Sequence, residues 1–151
     1  MQSGIENNII IIKLENNEDV FESLTYAVKE FNIRSGLILS GIGMLKEFEL
    51  GYYSTAGYIT RFFKIPHELI SLKGSIAFGI EDDNQEKLLL HIHCALADDK
   101  QQVWGGHLHK AKVNVINEIT LLRLENVQLT RIKNNTTGLM ELNIGSNIED
   151  N

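Results

Sequence analysis

The sequence predicts an α+β protein, with one main helix packed on a strongly curved, mostly antiparallel sheet. Three observations lead there. A single segment carries apolar residues at helical spacing, a long series of segments has strand character, and the connections between those segments are short and polar.

The helix is DVFESLTYAVKEF, residues 19–31. Val20, Phe21, Leu24, Ala27, Val28 and Phe31 form one apolar stripe, suited to lying on a sheet. Asn16 or Asn17 can cap its start, Glu18 and Asp19 suit the positive end of its dipole, and Gly36 follows its stop. The run IIII at 9–12 stands alone as a short apolar stretch, with no basic residues before it and too few residues to span a bilayer.

Strands are expected at 37–41, 47–53, 58–64, 68–78, 87–97, 102–110, 112–124 and 127–132, with a short one at 139–144. The connections EDDNQ, DDKQ and KNNTTG leave no room for crossover helices, which favours hairpins. Several strands are apolar on both faces, LLLHIHCALA and VNVINEITLLRL above all. With one helix for cover, the second face is expected to be buried against other subunits, or inside a closed roll.

With 151 residues, 43% of them hydrophobic and 23% charged, the chain is expected to form one domain over 1–144, with 145–151 a frayed tail. A formal charge of −6 and well-separated basic residues oppose non-specific attraction to nucleic acid. The lone Cys94 cannot form an intrachain disulfide, so a reducing, cytoplasmic location is expected. Gly41 and Gly43 in SGIGMLKEFEL invite comparison with a dinucleotide loop, but Lys46 holds the place of its third glycine and a strand follows instead of a helix. A tight structural turn is the expectation there.

Four of the five histidines lie in HIHCALADDKQQVWGGHLHK, residues 91–110. Residues two apart on a strand share a face, so His91 pairs with His93 and His107 with His109. A three-residue loop of Asp99, Lys100 and Gln101 would set Asp98 against Gln102, His93 against His107 and His91 against His109. A slip of one residue would separate them. Aligned, the imidazoles can converge on one ion, and His91, His93 and His107 are the preferred ligands. His109 is left as a fourth ligand, a supporting donor or a neighbour at the mouth. Cys94 points away and is expected in the core. His67 is expected at the surface or behind the ligands, and Glu68 or Glu118 could add a carboxylate. No catalytic residue is specified, although a metal so held could polarise a carbonyl or activate water for lyase or hydrolase chemistry on a small oxo-acid.

The segments GIGMLKEFELGYY, ELISLKGSIAF, LLLHIHCALADDKQQVWGGHLHKAKV and TGLMELNI resemble the PPC domain family. This plant and prokaryote conserved domain was formerly of unknown function and is often labelled a DNA-binding protein with a PD1-like motif. The pattern HxHxxLxD followed by VxGGHL carries the resemblance. It implies an α/β roll assembled as a homotrimer, with a divalent metal, zinc, held by His91, His93 and His107, and a fold resembling that of acetolactate decarboxylase. The family label also implies a DNA-binding or transcription-associated role, but no Arg-Gly-Arg-Pro hook is present. The chain departs from the pattern at Gln101, where glycine is usual, at Cys94, where alanine is usual, and at His109-Lys110-Ala111.

Overall fold

A computed structural model describes residues 1–80 and 85–146. The expected EDDNQ connection and the end of the expected tail fall largely outside the described residues. Along the chain the elements are β1 (Gln2–Glu6), β2 (Ile9–Glu15), α1 (Val20–Glu30), β3 (Gly36–Ser54), β4 (Gly57–Phe63), β5 (His67–Ile80), β6 (Glu86–Ala97), β7 (Val103–Arg123), β8 (Val127–Lys133) and β9 (Met140–Ser146).

The sheet runs β1-β2-β7-β3-β5-β8-β9, with β4 on β3 and β6 joined to both β5 and β7. β7, β3, β5 and β6 therefore pair in a closed circuit, which is the roll. All pairings are antiparallel except the short β5–β8 contact.

The helix is one residue shorter at each end than the expected 19–31. Its cap is Asp19, not Asn16 or Asn17: the Asp19 carboxylate accepts from the backbone N–H groups of Phe21 and Glu22 at 2.9 and 3.0 Å. Such a cap stabilises a helix by about 1 kcal/mol. Val20, Leu24, Ala27 and Val28 are buried against the sheet. They meet Ile10, Ile12 and Leu14 from β2 and Ile119 and Leu121 from β7 in one continuous core. A buried Leu or Val contributes about 1.5–3 kcal/mol, so this face holds helix to sheet.

Three sequence expectations change. The isoleucine run is not an isolated stretch but part of β2, paired with β1 on one side and β7 on the other. The segments 37–41 and 47–53 form one strand, and so do 102–110 and 112–124. The turn expected at Gly41 and Gly43 is absent: Gly43 sits within β3 at φ 135°, where a β-carbon would collide with the backbone of Ile116 and the Asn117 side chain. Register shifts between Ile38 and Leu50 bend β3 instead of ending it. Among the described residues, no helix is long and apolar enough to cross a membrane.

Candidate metal centre

Alternation along β6 sends Ile92, Cys94 and Leu96 into the core and His91 and His93 to the opposite face. On β7, Leu108 is buried while His107 and His109 point the other way. The loop between the strands fixes how these faces meet. Asp98 N–H donates to the Gln102 carbonyl at 3.0 Å, and Gln101 N–H to the Asp98 carbonyl at 2.9 Å. The Asp98 carboxylate accepts from the N–H groups of Lys100 and Gln102, both at 2.9 Å, and from the Trp104 indole at 3.3 Å. Those bonds, the Gln102 N–H first, hold its carboxyl below the usual range. Gln101 takes φ 62°, the left-handed conformation a three-residue hairpin loop requires at this position.

The resulting register sets His93 against His107, as the loop length predicts. The facing of His91 and His109 does not follow. β6–β7 pairing stops at His93 and His107, beyond which His91 lies beside Ser75 of β5 and β7 turns to β3. The glycines before His107 permit that turn, since a β-carbon on Gly106 would lie 2.8 Å from the Gly51 carbonyl oxygen of β3.

His91, His93 and His107 bring one nitrogen each within 4.8 Å of one another. His91 Nε2 and His93 Nε2 are 3.1 Å apart. In a tetrahedral zinc site, ligand nitrogens stand about 3.3 Å apart, so one edge is already formed. The Nδ1 atom of His107 is buried without a hydrogen-bond partner. Burial pushes the His107 imidazole down to about 4, helped by the charges of His109, His91, His93 and Arg131. Burial likewise lowers His91, with smaller contributions from Arg131 and His93. Neutral imidazoles are the form a metal requires.

The other candidates lie elsewhere. His109 packs edge-on against Tyr58, with ring centroids 4.9 Å apart, and does not join the trio. His67 is not at the surface: it is 3% exposed, edge-on to Phe48 and Phe63, with Nδ1 3.1 Å from the Ile65 carbonyl oxygen. Among the described residues no carboxylate joins the cluster; Glu68 is exposed on β5, and Glu118 is exposed farther along β7, where it pairs with Lys13 of β2. Cys94 is buried as expected, its thiol pushed up to about 12 by burial.

One residue escaped the sequence reading. Arg131 of β8 lines a cleft of ≈ 220 Å³ with Tyr58, Leu89, His91, His107 and Met140. The signal was there: Leu129 and Arg131 share a strand parity, so a cation occupies a buried phase, and both are indeed buried.

A profile of the Plants and Prokaryotes Conserved (PCC) domain matches residues 1–125. The chain belongs to that family. A PPC protein of Pyrococcus horikoshii shares 25% identity and a TM-score of 0.77, each chain covered to 93%. A metal-containing protein of Archaeoglobus fulgidus shares 26% identity and a TM-score of 0.78, over 93% of this chain and 95% of that one. A Bacteroides thetaiotaomicron protein to which DNA binding has been ascribed matches in fold, with a TM-score of 0.82, 24% identity, and coverage of 94% and 96%. The bifunctional protein GlmU of Synechococcus sp. is 25% identical over 134 residues, which span 88% of this chain but 20% of that protein. The PCC profile ends before β8, so Arg131 lies beyond the matched region.

Proposed function

We propose that this PCC-domain chain binds one divalent metal ion, zinc, through His91, His93 and His107, in a homotrimeric cytoplasmic protein whose domain spans residues 1–144. The observation that carries the reading is the convergence of three imidazole nitrogens, one edge at 3.1 Å, with no carboxylate in the cluster among the described residues. Three neutral nitrogens leave a fourth position free, the arrangement used where ligands exchange. The unpartnered His107 Nδ1 fits the same reading, because a buried polar nitrogen without a partner costs about 1–3 kcal/mol. The metal-containing archaeal relative adds support from outside the chain.

Bound there, zinc would supply Lewis acidity toward a carbonyl or carboxylate oxygen, the chemistry of a lyase or hydrolase acting on a small oxo-acid. The chain's own contribution is to keep the His91 and His107 imidazoles neutral, fix His93 opposite His107 through the Asp98 loop, and shield one side with Tyr58. Exposed Tyr52, Ile59, Phe62 and Val103 on β3, β4 and β7 supply apolar surface for a trimer contact.

Protein purified without chelators is expected to carry close to one zinc per chain by elemental analysis. His93→Ala should lose it while keeping its circular dichroism. Wild-type protein that neither carries nor takes up a divalent ion would contradict the proposal.

DNA binding is the competing reading, favoured by the ascription to the Bacteroides relative. The net charge of −6 argues against a phosphate-neutralising surface. Salt-sensitive binding to a DNA duplex would support it.

A further inference from the structure

We infer that Arg131 is the anchor for the carboxylate of a small organic acid, held in the cleft between this guanidinium and the histidine trio. The inference rests on the metal reading above and names the ligand class of that site.

The reason is an unbalanced charge. Arg131 is 8% exposed, and among the described residues its bonds go to neutral acceptors: one terminal nitrogen donates to the Ser75 hydroxyl at 2.7 Å, the other to the Met140 carbonyl at 3.1 Å. Its Nε is buried with no partner. Two other arginines are matched by acids. Arg34 makes a two-pronged pair with Glu86 at 2.6 and 2.9 Å, and Arg123 reaches Glu125 at 3.3 Å. The exposed Arg61 lies over the Trp104 ring, 4.3 Å from its centroid. The most buried cation thus has no counter-charge among the described residues, against the rule that buried charges are paired.

The position says which anion would supply it. Arg131, His91 and His107 line one cleft, and no acid among the described residues lines it with them. A divalent ion on three neutral imidazoles would add to the positive charge of Arg131. An anion able to face both is a carboxylate, whose two oxygens match a guanidinium edge. The remaining walls are apolar, from Leu89, Leu90, Leu139 and Met140, and the volume of ≈ 220 Å³ lies below the about 300–1,000 Å³ of sites for drug-sized ligands. A short alkyl or oxo acid fits those limits.

The cleft is also held open by design of the chain. Tyr53 Oη donates to the Thr137 carbonyl at 2.9 Å, tying the β3–β4 hairpin to the β8–β9 turn that bears Leu139 and leads into Met140 of β9. Gly51 belongs to the same construction: a β-carbon there would collide with the His109 ring and Tyr58.

The test uses the full chain loaded with cobalt(II), whose visible spectrum reports its ligands, titrated with propionate and with its neutral counterpart propionamide. A saturable spectral change with propionate is expected, weakened about tenfold or more in Arg131→Met and less in Arg131→Lys, with cobalt stoichiometry unchanged. Propionamide should bind weakly and equally in all three. If cobalt does not bind the wild-type chain, the metal reading fails and takes this one with it. If cobalt binds but propionate is no better than propionamide, or binds Arg131→Met as tightly as wild type, the carboxylate anchor is overturned and the metal reading stands. Should the Met variant not fold, the wild-type comparison of propionate with propionamide and the Lys variant still decide.

Discussion

His93 and Cys94 are neighbours on β6 and face opposite environments. Cys94 lies with Ile92 and Leu96 in the core, where burial pushes its thiol up to about 12 and leaves it inert at neutral pH. His93 stands on the other face with His91 and His107, where three imidazoles converge and the buried Nδ1 of His107 has no hydrogen-bond partner. One strand thus supports two designs at once. The inner face is shaped for stability and the outer one gathers the imidazoles of the proposed metal site, because alternation lets each face be chosen independently.

That independence can be broken from either side. The largest effect is expected from the inner face: Leu96→Ala should cost about 2–5 kcal/mol, seen as a lower urea midpoint, while the folded fraction still binds one metal ion per chain. Loss of metal binding from a folded Leu96→Ala protein would show that the faces are coupled.

Acid gives a smaller effect, confined to the outer face. His107 titrates near 4 in the fold against 6.5 for the ordinary imidazole, so the unfolded chain binds more protons between those values. Stability of the metal-free protein is therefore full above about pH 6.5 and falls as pH drops toward 4. His91 adds to the same slope. Thermal midpoints from pH 7 to 4.5 should fall in the wild type and less steeply in His107→Asn; equal slopes would remove the histidine contribution.

The smallest effect sharpens the register between the faces. Gln101 holds φ 62°, which disfavours any residue with a β-carbon. Gln101→Gly should raise stability by up to about 1 kcal/mol without changing metal content, measured by chemical denaturation. A loss of metal would mean that the loop sets the register differently.

Much of the outer face was legible in the sequence because it depends on parity and one loop length. HIH and GGHLH, separated by a countable turn, leave few registers, and the three-residue loop selects the one found. The family pattern pointed to the same trio. Less legible was whatever depended on which strands continue. Isoleucine on both faces of β2 hid its alternation, although only Ile10, Ile12 and Leu14 are buried. Bulges kept β3 and β7 running where glycines and polar residues read as turns. Arg131 was hidden for a further reason: its neighbours in the cleft come from β4, β6, β7 and the β8–β9 turn, and no local motif joins them.

The central claim is that three imidazoles hold one ion. Crystals grown with zinc and measured on both sides of its absorption edge test it most directly. A single anomalous peak is expected in each chain, about 2.0–2.1 Å from a nitrogen of His91, His93 and His107, with His109 outside the coordination sphere. A map with no peak among those three residues, or with the ion seated on His109 and an acidic side chain, would contradict the account.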